Sequence, residues 1–360
     1  NTVTMNSTLK ATAANGPATG IIATNTAINT VTGVTDVEAK TTTGDARGIV
    51  AAGGVNNVNA EQTETFTGHV AATTASGEAD GILAKSTDTG IAANNVGGVT
   101  YVDAEGTTSA YGIAASGKDE IPAVNTVTMN SYVKAKSTGT GTVGAVVANN
   151  NGHNTVTGAT DVTASGSIAP AGSGIFGIGA STNSSNDVTM TGALSAEATT
   201  SGDVYAVLAN ETSTNTITGT KAASAATPAI SATTKSGTAY GIAAIKDSTN
   251  DVNADVTDNL GDMTVSSGKG AAYGIMADAT DGTKGTTNNV GGLGAMNVTS
   301  TSADAYGIDA TGGTSEDNKA TNNVKMNGEI AVKAATSGNV YAIKADAFSS
   351  NTVDGSTDIS

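Results

Sequence analysis

The sequence contains no cysteine and no tryptophan, and it has only four prolines, three phenylalanines and one arginine, Arg47, among 360 residues. The lack of cysteine excludes disulfide frameworks, thiolate metal sites and cysteine nucleophiles. Positive charge is also scarce, because 16 basic residues face 32 acidic residues and leave a net charge of −16. The chain therefore lacks the basic stripe that nucleic-acid binding requires, and we expect no nucleic-acid partner.

Long apolar runs are missing as well. No run approaches the roughly 18 apolar residues of a membrane span, so the sequence predicts no membrane span in this segment, and its beginning has no signal-peptide pattern. Only 13% of the residues are charged, too few to hold a chain open by repulsion. A chain of 360 residues exceeds the roughly 250 to 300 residues of one core, which favours several domains or a repeat array.

A repeat runs from one end of the sequence to the other. An asparagine two positions before a valine or isoleucine recurs at a mean interval of about 32 residues, which is typical of a repeat architecture. A half-period of about 16 residues is the alternative, but the sequence has no matching half-repeat. The recurring asparagines are Asn1, Asn29, Asn56, Asn94, Asn125, Asn154, Asn186, Asn215, Asn250, Asn288, Asn322 and Asn351.

Two further signatures lie between successive asparagines. One is a small residue followed by an aliphatic residue, as in Gly48-Ile49, and it is often preceded by an aromatic residue. The other is an apolar residue, any residue and alanine, as in Val102-Asp103-Ala104. The aromatic members of the first signature are Tyr111, Phe176, Tyr205, Tyr240, Tyr273, Tyr306 and Tyr341.

All three signatures alternate with period two, which is the pattern of a strand with one buried face. This places Tyr341, Ile343 and Ala345 on one face, with Lys344 and Asp346 on the other. Three short strands per repeat cannot close a core alone, so each repeat must bury its inward face on the next one. The sequence predicts an all-β fold, a parallel β-solenoid (β-helix) of about eleven coils of about 32 residues, with stacked Asn and Tyr ladders.

We expect residues 1–360 to form one continuous solenoid array. The chain begins and stops at nearly the same repeat phase, which predicts a segment of a longer protein or the protomer of a filament. The Asn and aromatic rows are interpreted as structural, because a catalytic site needs its residues once.

Four insertions fall at the same repeat position, between the small-aliphatic signature and the next asparagine. A solenoid places them at one corner, where they are either binding loops or tolerated surface variation. They are Lys85–Ala93, Ser116–Val124, Asp278–Thr287 and Thr311–Thr321.

The sequence contains few residues in patterns typical of catalysis, and we expect no catalytic residue and no cofactor. His69 and His153 share no motif with an acidic or nucleophilic residue, which predicts exposed polar residues rather than a metal site or a triad. Four carboxylates near one corner are weak candidates for a calcium site, although no calcium-binding nonapeptide motif occurs. They are Asp278, Asp281, Glu316 and Asp317.

A Thr-x-Thr pattern flanks the buried aliphatic residue of several repeats, for example Thr30/Thr32 and Thr216/Thr218. A flat outward Thr array would order water as ice-binding solenoids do. The row is interrupted, since Asn57/Asn59 and Asp251/Asn253 occupy the same positions in other repeats. Ice binding is therefore the lesser alternative.

The units resemble those of bacterial secreted β-helix proteins, especially autotransporter passenger domains and filamentous haemagglutinin-type adhesins. The resemblance covers all 360 residues and consists of Thr, Asn, Gly, Ser and Ala richness, absent Cys, acidic pI, and degenerate Asn-x-Val and Tyr-Gly-Ile units. It implies a secreted protein at the bacterial cell surface. This stretch contains neither the outer-membrane barrel nor the protease module of such proteins.

These observations predict a non-enzymatic, extracellular structural or adhesive solenoid that makes multivalent contacts. The expected partners are other copies, through end-to-end or lateral assembly, and host or surface glycans. The alternative is a carbohydrate-active β-helix, a polysaccharide lyase or hydrolase or a phage tailspike-like protein. Such an enzyme needs a groove with clustered Asp, Arg and aromatic residues, and Arg47 is the only arginine.

Overall fold

The computed structural model describes residues 1–61, 68–167, 174–219, 229–253, 261–356 and 358–360. These residues form β-strands joined by turns and contain no helix. The chain divides into two compact units, Asn1–Gly166 with Asn183–Thr189 and Ser167–Thr182 with Met190–Ser360. The continuity of the array over residues 1–360 stays a prediction.

In the first unit, one parallel sheet contains the strands with the small-aliphatic signature, and a second contains the strands of the other two signatures. The first sheet is β2 (Ala18–Thr24), β4 (Ala46–Ala52), β7 (Glu78–Lys85), β9 (Ser109–Ser116) and β12 (Val143–Asn149). The second is β1 (Thr2–Asn15), β3 (Ile28–Thr43), β5 (Val55–Val58), β6 (Gly68–Thr74), β8 (Ala92–Gly106), β10 (Ala123–Met129), β11 (Val133–Ser137), β13 (Gly152–Ala159), β14 (Val162–Gly166) and β16 (Ser185–Met190).

The second unit is built in the same way. Its small-aliphatic strands are β15 (Gly174–Ser181), β18 (Asp203–Asn210), β21 (Ala239–Ile245), β24 (Ala272–Asp278), β26 (Ala305–Thr311) and β29 (Val340–Ala345). The other sheet has β17 (Leu194–Ala198), β19 (Thr214–Thr218), β20 (Ile230–Thr234), β22 (Thr249–Val252), β23 (Gly261–Ser267), β25 (Thr286–Ser300), β27 (Ala320–Met326), β28 (Ile330–Ala334) and β30 (Ser349–Asp354).

Strand pairing follows the repeat residue by residue. Asn125 pairs in register with Asn94 on one side and with Asn154 on the other, and Tyr240 pairs with Tyr273. Every partner is about one repeat away in the sequence and runs parallel, so successive repeats stack as coils. The predicted parallel β-solenoid with coils of about 32 residues is confirmed, with about 10 turns of chain, and the half-period of about 16 residues is wrong.

The core consists of aliphatic rows that run from coil to coil. Ile49, Ile82 and Ile113 occupy one register position of the first unit and are fully buried. Ile242 and Ile275 do the same in the second unit. Burying one such side chain contributes about 1.5–3 kcal/mol, so a mostly polar chain becomes stable by stacking a few aliphatic residues per coil.

The predicted asparagine ladder is present, and its amides make two kinds of hydrogen bond. Each Nδ2 donates to the Oδ1 of the asparagine in the next coil at 2.8–3.0 Å, as from Asn1 through Asn186 in the first unit and from Asn215 through Asn351 in the second. The same Nδ2 also donates to a backbone carbonyl of the preceding small-aliphatic strand, as Asn125 does to Ala114 at 2.7 Å. The ladder therefore joins the two sheets as well as successive coils.

The strict alternation predicted for the aromatic strand is wrong. Gly241 and Ile242 both face the interior: a Cβ on Gly241 would lie 2.7 Å from the Met263 Sδ, and Ile242 is fully buried. Tyr240 is only partly buried, on the outward side. Because two consecutive residues point inward, the aromatic and aliphatic positions lie on opposite faces. The small residue is required because a larger one would strike the neighbouring strand.

The corner after the small-aliphatic strand has two forms. Short coils turn through two residues in the left-handed conformation, such as Asn150 and Asn151 with φ of 49° and 64°. The four predicted insertions replace this turn, and within each unit the two neighbouring loops touch. Lys118 forms an ion pair with Asp88, and the Asn318 Nδ2 donates to the Gly282 carbonyl at 2.7 Å. Within each unit their predicted placement at one corner is confirmed, whereas a role in binding stays a prediction.

Candidate functional site

A polar groove lies on the outward face of the asparagine-bearing strands of the second unit. Its volume is about 630 Å³, and it crosses β19, β22, β25, β27 and β30. The described lining residues are Thr216, Ile217, Thr218, Asp251, Asn253, Asn289, Val290, Asn323, Val324, Lys325, Thr352 and Asp354. None of them is aromatic.

One row of the groove follows directly from the solenoid register. The residue after each ladder asparagine points outward, because side chains alternate along a strand. In the five coils of the groove this row is Thr216, Asp251, Asn289, Asn323 and Thr352. Adjacent members lie on strands about 4.8 Å apart, so the row presents one hydrogen-bonding side chain per coil.

Hydrogen bonds order the middle of this row. The Asn289 Nδ2 donates to the Asp251 Oδ1 at 2.7 Å, and the Asn323 Nδ2 donates to the Asn289 Oδ1 at 2.9 Å. Each amide therefore uses one hydrogen within the row and keeps the other for a ligand or solvent. The Oδ1 of Asn323 is likewise available as an acceptor. The groove thus carries fixed donors and acceptors on successive coils.

A second outward row lies on the other side of the ladder asparagines and carries only hydroxyl groups. Its members pair in register: Thr214, Thr249, Thr287, Thr321 and Ser350. This row was not predicted, because the Thr-x-Thr pattern covers only positions after the asparagine. The equivalent positions of the first unit begin with Ile28, Val55, Ala93 and Val124, so the hydroxyl row distinguishes the second unit.

The predicted aromatic stack is present in the second unit. Phe176, Tyr205, Tyr240, Tyr273, Tyr306 and Tyr341 form successive pairs with ring centroids 4.5–5.6 Å apart and planes within 16°. Tyr111 belongs to the same repeat position, but its assignment to the stack is wrong. Its partners in register are Asp80 and Gly144, which carry no ring.

A second aromatic stack was missed. His69, Tyr101 and Tyr132 stack with centroids 4.8 Å apart, and all three residues come directly before the valine of a Val-x-Ala signature. Their shared position in the repeat is the sequence feature from which this stack could have been predicted. The prediction that His69 is simply exposed is wrong, since its Nδ1 lies 2.9 Å from the Asp36 Oδ1 and its side chain is 22% exposed.

His153 is also partly buried, with its Nδ1 2.8 Å from the Ser185 Oγ, so the prediction of a simply exposed residue is wrong here too. The two histidines are far apart in the sequence and have different partners. Neither lines the groove. Their contacts hold neighbouring coils together.

The structure does not bring the calcium candidates together. Asp278 accepts a hydrogen bond from the backbone N–H of Thr280 at 2.9 Å, while the remaining three, Asp281, Glu316 and Asp317, are exposed. Within the described ranges, no three His, Asp or Glu side chains are placed to hold a metal ion. The calcium site therefore stays a prediction without support from the placement of these side chains.

The only arginine is engaged by carboxylates of the first unit. The Arg47 Nε lies 3.1 Å from the Asp80 Oδ2, and its Nη2 lies 2.7 Å from the Asp45 Oδ2. Burial, with the nearby Glu78 carboxylate, raises the pKa of Asp80 to about 8, and Arg47 opposes that shift. This cluster ties adjacent coils together. None of its residues lines the groove, whose only lysine or arginine among the described lining residues is Lys325.

In the portion of the chain that the structure describes, no helix has the length and apolar character needed to cross a membrane. The chain matches no protein-family model, no curated protein and no solved structure.

Proposed function

We propose that this chain is a non-enzymatic, extracellular adhesive solenoid of the bacterial cell surface, which uses the polar groove for multivalent contacts with glycans. The observation that carries the proposal is the repetition of hydrogen-bonding side chains on five successive coils, from Thr216 to Thr352. When one polymeric partner makes several weak contacts, each contact already formed raises the effective concentration for the next, so the overall affinity exceeds that of any single contact.

The arrangement of carboxylates favours binding over hydrolysis. Glycoside hydrolysis needs two carboxyl groups about 5 to 9.5 Å apart. Asp251 and Asp354 both line the groove, but they belong to strands three pairings apart. At about 4.8 Å per strand, three steps separate their backbones by about 14 Å, which is too far for such a pair.

The edges of the stacked coils provide a second kind of contact. Ile22 in the first unit, and Val340 and Ile343 in the second, are 40–50% exposed although they belong to strands. Exposed strand edges pair with further strands, whether those come from the same chain or from a second copy. We propose self-association, end to end or lateral, as a further part of the adhesive role.

The adhesive function is tested on a panel of immobilised glycans at several surface densities. We expect retention that rises steeply with glycan density, and no new reducing ends after long incubation with the same glycans in solution. New reducing ends would show that the chain is an enzyme, and density-independent retention would contradict multivalent binding. Labelling of intact producing cells with an antibody tests the extracellular location.

A further inference from the structure

Resting on the proposed function, we further propose that the groove selects an unbranched neutral polysaccharide, held with its long axis along the stacking direction of the coils. The inference deepens the adhesive role by assigning a ligand class and an orientation. It is based on the spacing of the groove residues, their hydrogen-bonding capacity and their charge.

The spacing favours a polymer that crosses the coils. The outward row places one amide, carboxylate or hydroxyl group on each strand, about 4.8 Å from the next. This distance is close to the length of one hexopyranose residue in an extended chain. A glycan along this direction therefore meets an equivalent polar group at each sugar, whereas a glycan along a strand meets outward groups of one coil only.

The hydrogen-bonding groups suit sugar hydroxyls, which both donate and accept. Asn289 and Asn323 each keep one amide hydrogen after the bonds of the row are made. Thr216 and Thr352 add hydroxyl groups at the two ends of the same row. The row is ordered before binding because Asn289 accepts from Asn323 and donates to Asp251, which limits the entropy lost when a ligand binds.

The charge of the groove and of the whole chain favours neutral polymers over acidic ones. Two carboxylates, Asp251 and Asp354, and one ammonium group, Lys325, line the groove, and the whole chain carries a net charge of −16. A uronic-acid or sulfated polymer would approach against this negative field. Neutral hexose and N-acetylhexosamine polymers meet no such repulsion, and a panel with both kinds distinguishes them.

The test compares the groove with the matching surface of the first unit. In the double variant Asn289→Val and Asn323→Val, two outward amides are replaced by residues that suit a strand. The control is Asn57→Val with Asn95→Val, because these two residues occupy the same row in the first unit and share the same type of hydrogen bond, 2.8 Å from the Asn95 Nδ2 to the Asn57 Oδ1. Circular dichroism and thermal unfolding of both variants verify that each is folded.

Binding is measured by affinity electrophoresis in gels with a neutral glucan, a soluble chitin derivative that keeps its N-acetyl groups, or polygalacturonate. We expect the wild-type chain and the control to be retarded by at least one neutral polymer and not by polygalacturonate. Loss of two hydrogen bonds weakens the groove variant about tenfold or more. Equal retardation of the groove variant and the control would overturn the groove proposal while leaving glycan adhesion intact, and no retardation of the wild-type chain would contradict both.

Orientation is tested with neutral oligosaccharides of increasing length. A ligand along the stacking direction gains one set of contacts per added sugar until it spans the five coils of the groove. Calorimetric affinity should therefore rise up to about five sugars and then level off. An affinity that stops rising at two sugars would show that the glycan does not cross the coils.

Discussion

At the residue scale, the amide of an interior ladder asparagine such as Asn125 makes three hydrogen bonds. Its Oδ1 accepts from one neighbouring coil, one Nδ2 hydrogen goes to the other, and the second Nδ2 hydrogen goes to a carbonyl of the adjoining sheet. Neither aspartate nor a hydrophobic residue supplies this set of two donors and one acceptor. This requirement explains why asparagine persists at the position while neighbouring outward residues vary.

Replacement of Asn125 by alanine tests the ladder. The side chain is fully buried, and its loss removes an acceptor for the Asn94 amide and the donor to the Asn154 Oδ1 and the Ala114 carbonyl. Each unsatisfied buried group costs about 1–3 kcal/mol, so we expect a destabilisation of about 3 kcal/mol or more in urea denaturation. Thr126→Ala, at the exposed neighbouring position, is the control and should change stability by less than about 0.5 kcal/mol. Similar midpoints for the two variants would contradict a stabilising ladder.

Because of Asp80, the stability of the first unit should fall as the pH rises. Burial raises the pKa of its carboxyl to about 8 in the folded chain, above the value of 3.8 for an ordinary aspartate. The unfolded chain therefore loses this proton first, and the contribution of Asp80 to stability is greatest below about pH 4 and falls until about pH 8. The slope is at most about 1.4 kcal/mol per pH unit.

Asp80→Asn removes this titration. We expect the variant to lose less stability than the wild-type chain between about pH 5 and pH 8, as measured by urea midpoints across that range. Asp45→Asn serves as the control because it removes a more exposed carboxylate from the same guanidinium group. A stability difference between Asp80→Asn and the wild-type chain that does not change with pH would contradict the raised pKa.

At the scale of the strand, the repeat made most of the architecture predictable. Residues at equivalent repeat positions must stack. The Asn ladder and five of the six successive ring pairs of the predicted aromatic stack, those from Phe176 to Tyr341, therefore followed from the period and the strand pattern alone. The outward side of Tyr240 was not predictable, because it depends on two consecutive inward residues, Gly241 and Ile242, that break the alternation. The groove was predictable only in part: the interrupted Thr-x-Thr pattern includes four of its lining residues, Thr216, Thr218, Asp251 and Asn253, but a row that mixes Thr, Asp and Asn does not by itself indicate a groove.

The contribution of ring stacking to stability can be measured with variants of one tyrosine. The ring of Tyr240 lies 4.5 Å from that of Tyr205 and 5.1 Å from that of Tyr273. Tyr240→Ala removes both ring pairs, each worth about 0.5–1.5 kcal/mol beyond area burial, so we expect a loss of about 2–4 kcal/mol. Tyr240→Phe keeps the rings and should cost less than about 1.5 kcal/mol. A phenylalanine variant as unstable as the alanine variant would mean that the hydroxyl group, not the stack, carries the stabilisation.

At the scale of the whole molecule, charge opposes the association that exposed strand edges favour. With 16 basic and 32 acidic residues, copies carry a net charge of −16 at neutral pH, and the sequence pI is about 4.3. Like-charged copies repel over about 30 Å at 0.01 M salt but only about 8 Å at 0.15 M salt. Electrostatics therefore keeps copies apart in dilute salt, while pairing of coil edges requires close approach.

Light scattering separates these two contributions. We expect the mean particle mass to rise when salt is increased at neutral pH, because screening removes repulsion and leaves the short-range pairing of strand edges. Acidification toward the pI should have the same effect at low salt, because the net charge vanishes. If particle mass fell as salt increased, the copies would be held by ion pairs rather than by strand edges, and the self-association part of the proposed function would be wrong. The groove proposal would not be affected, because its ligand is neutral and its binding should change little over the same salt range.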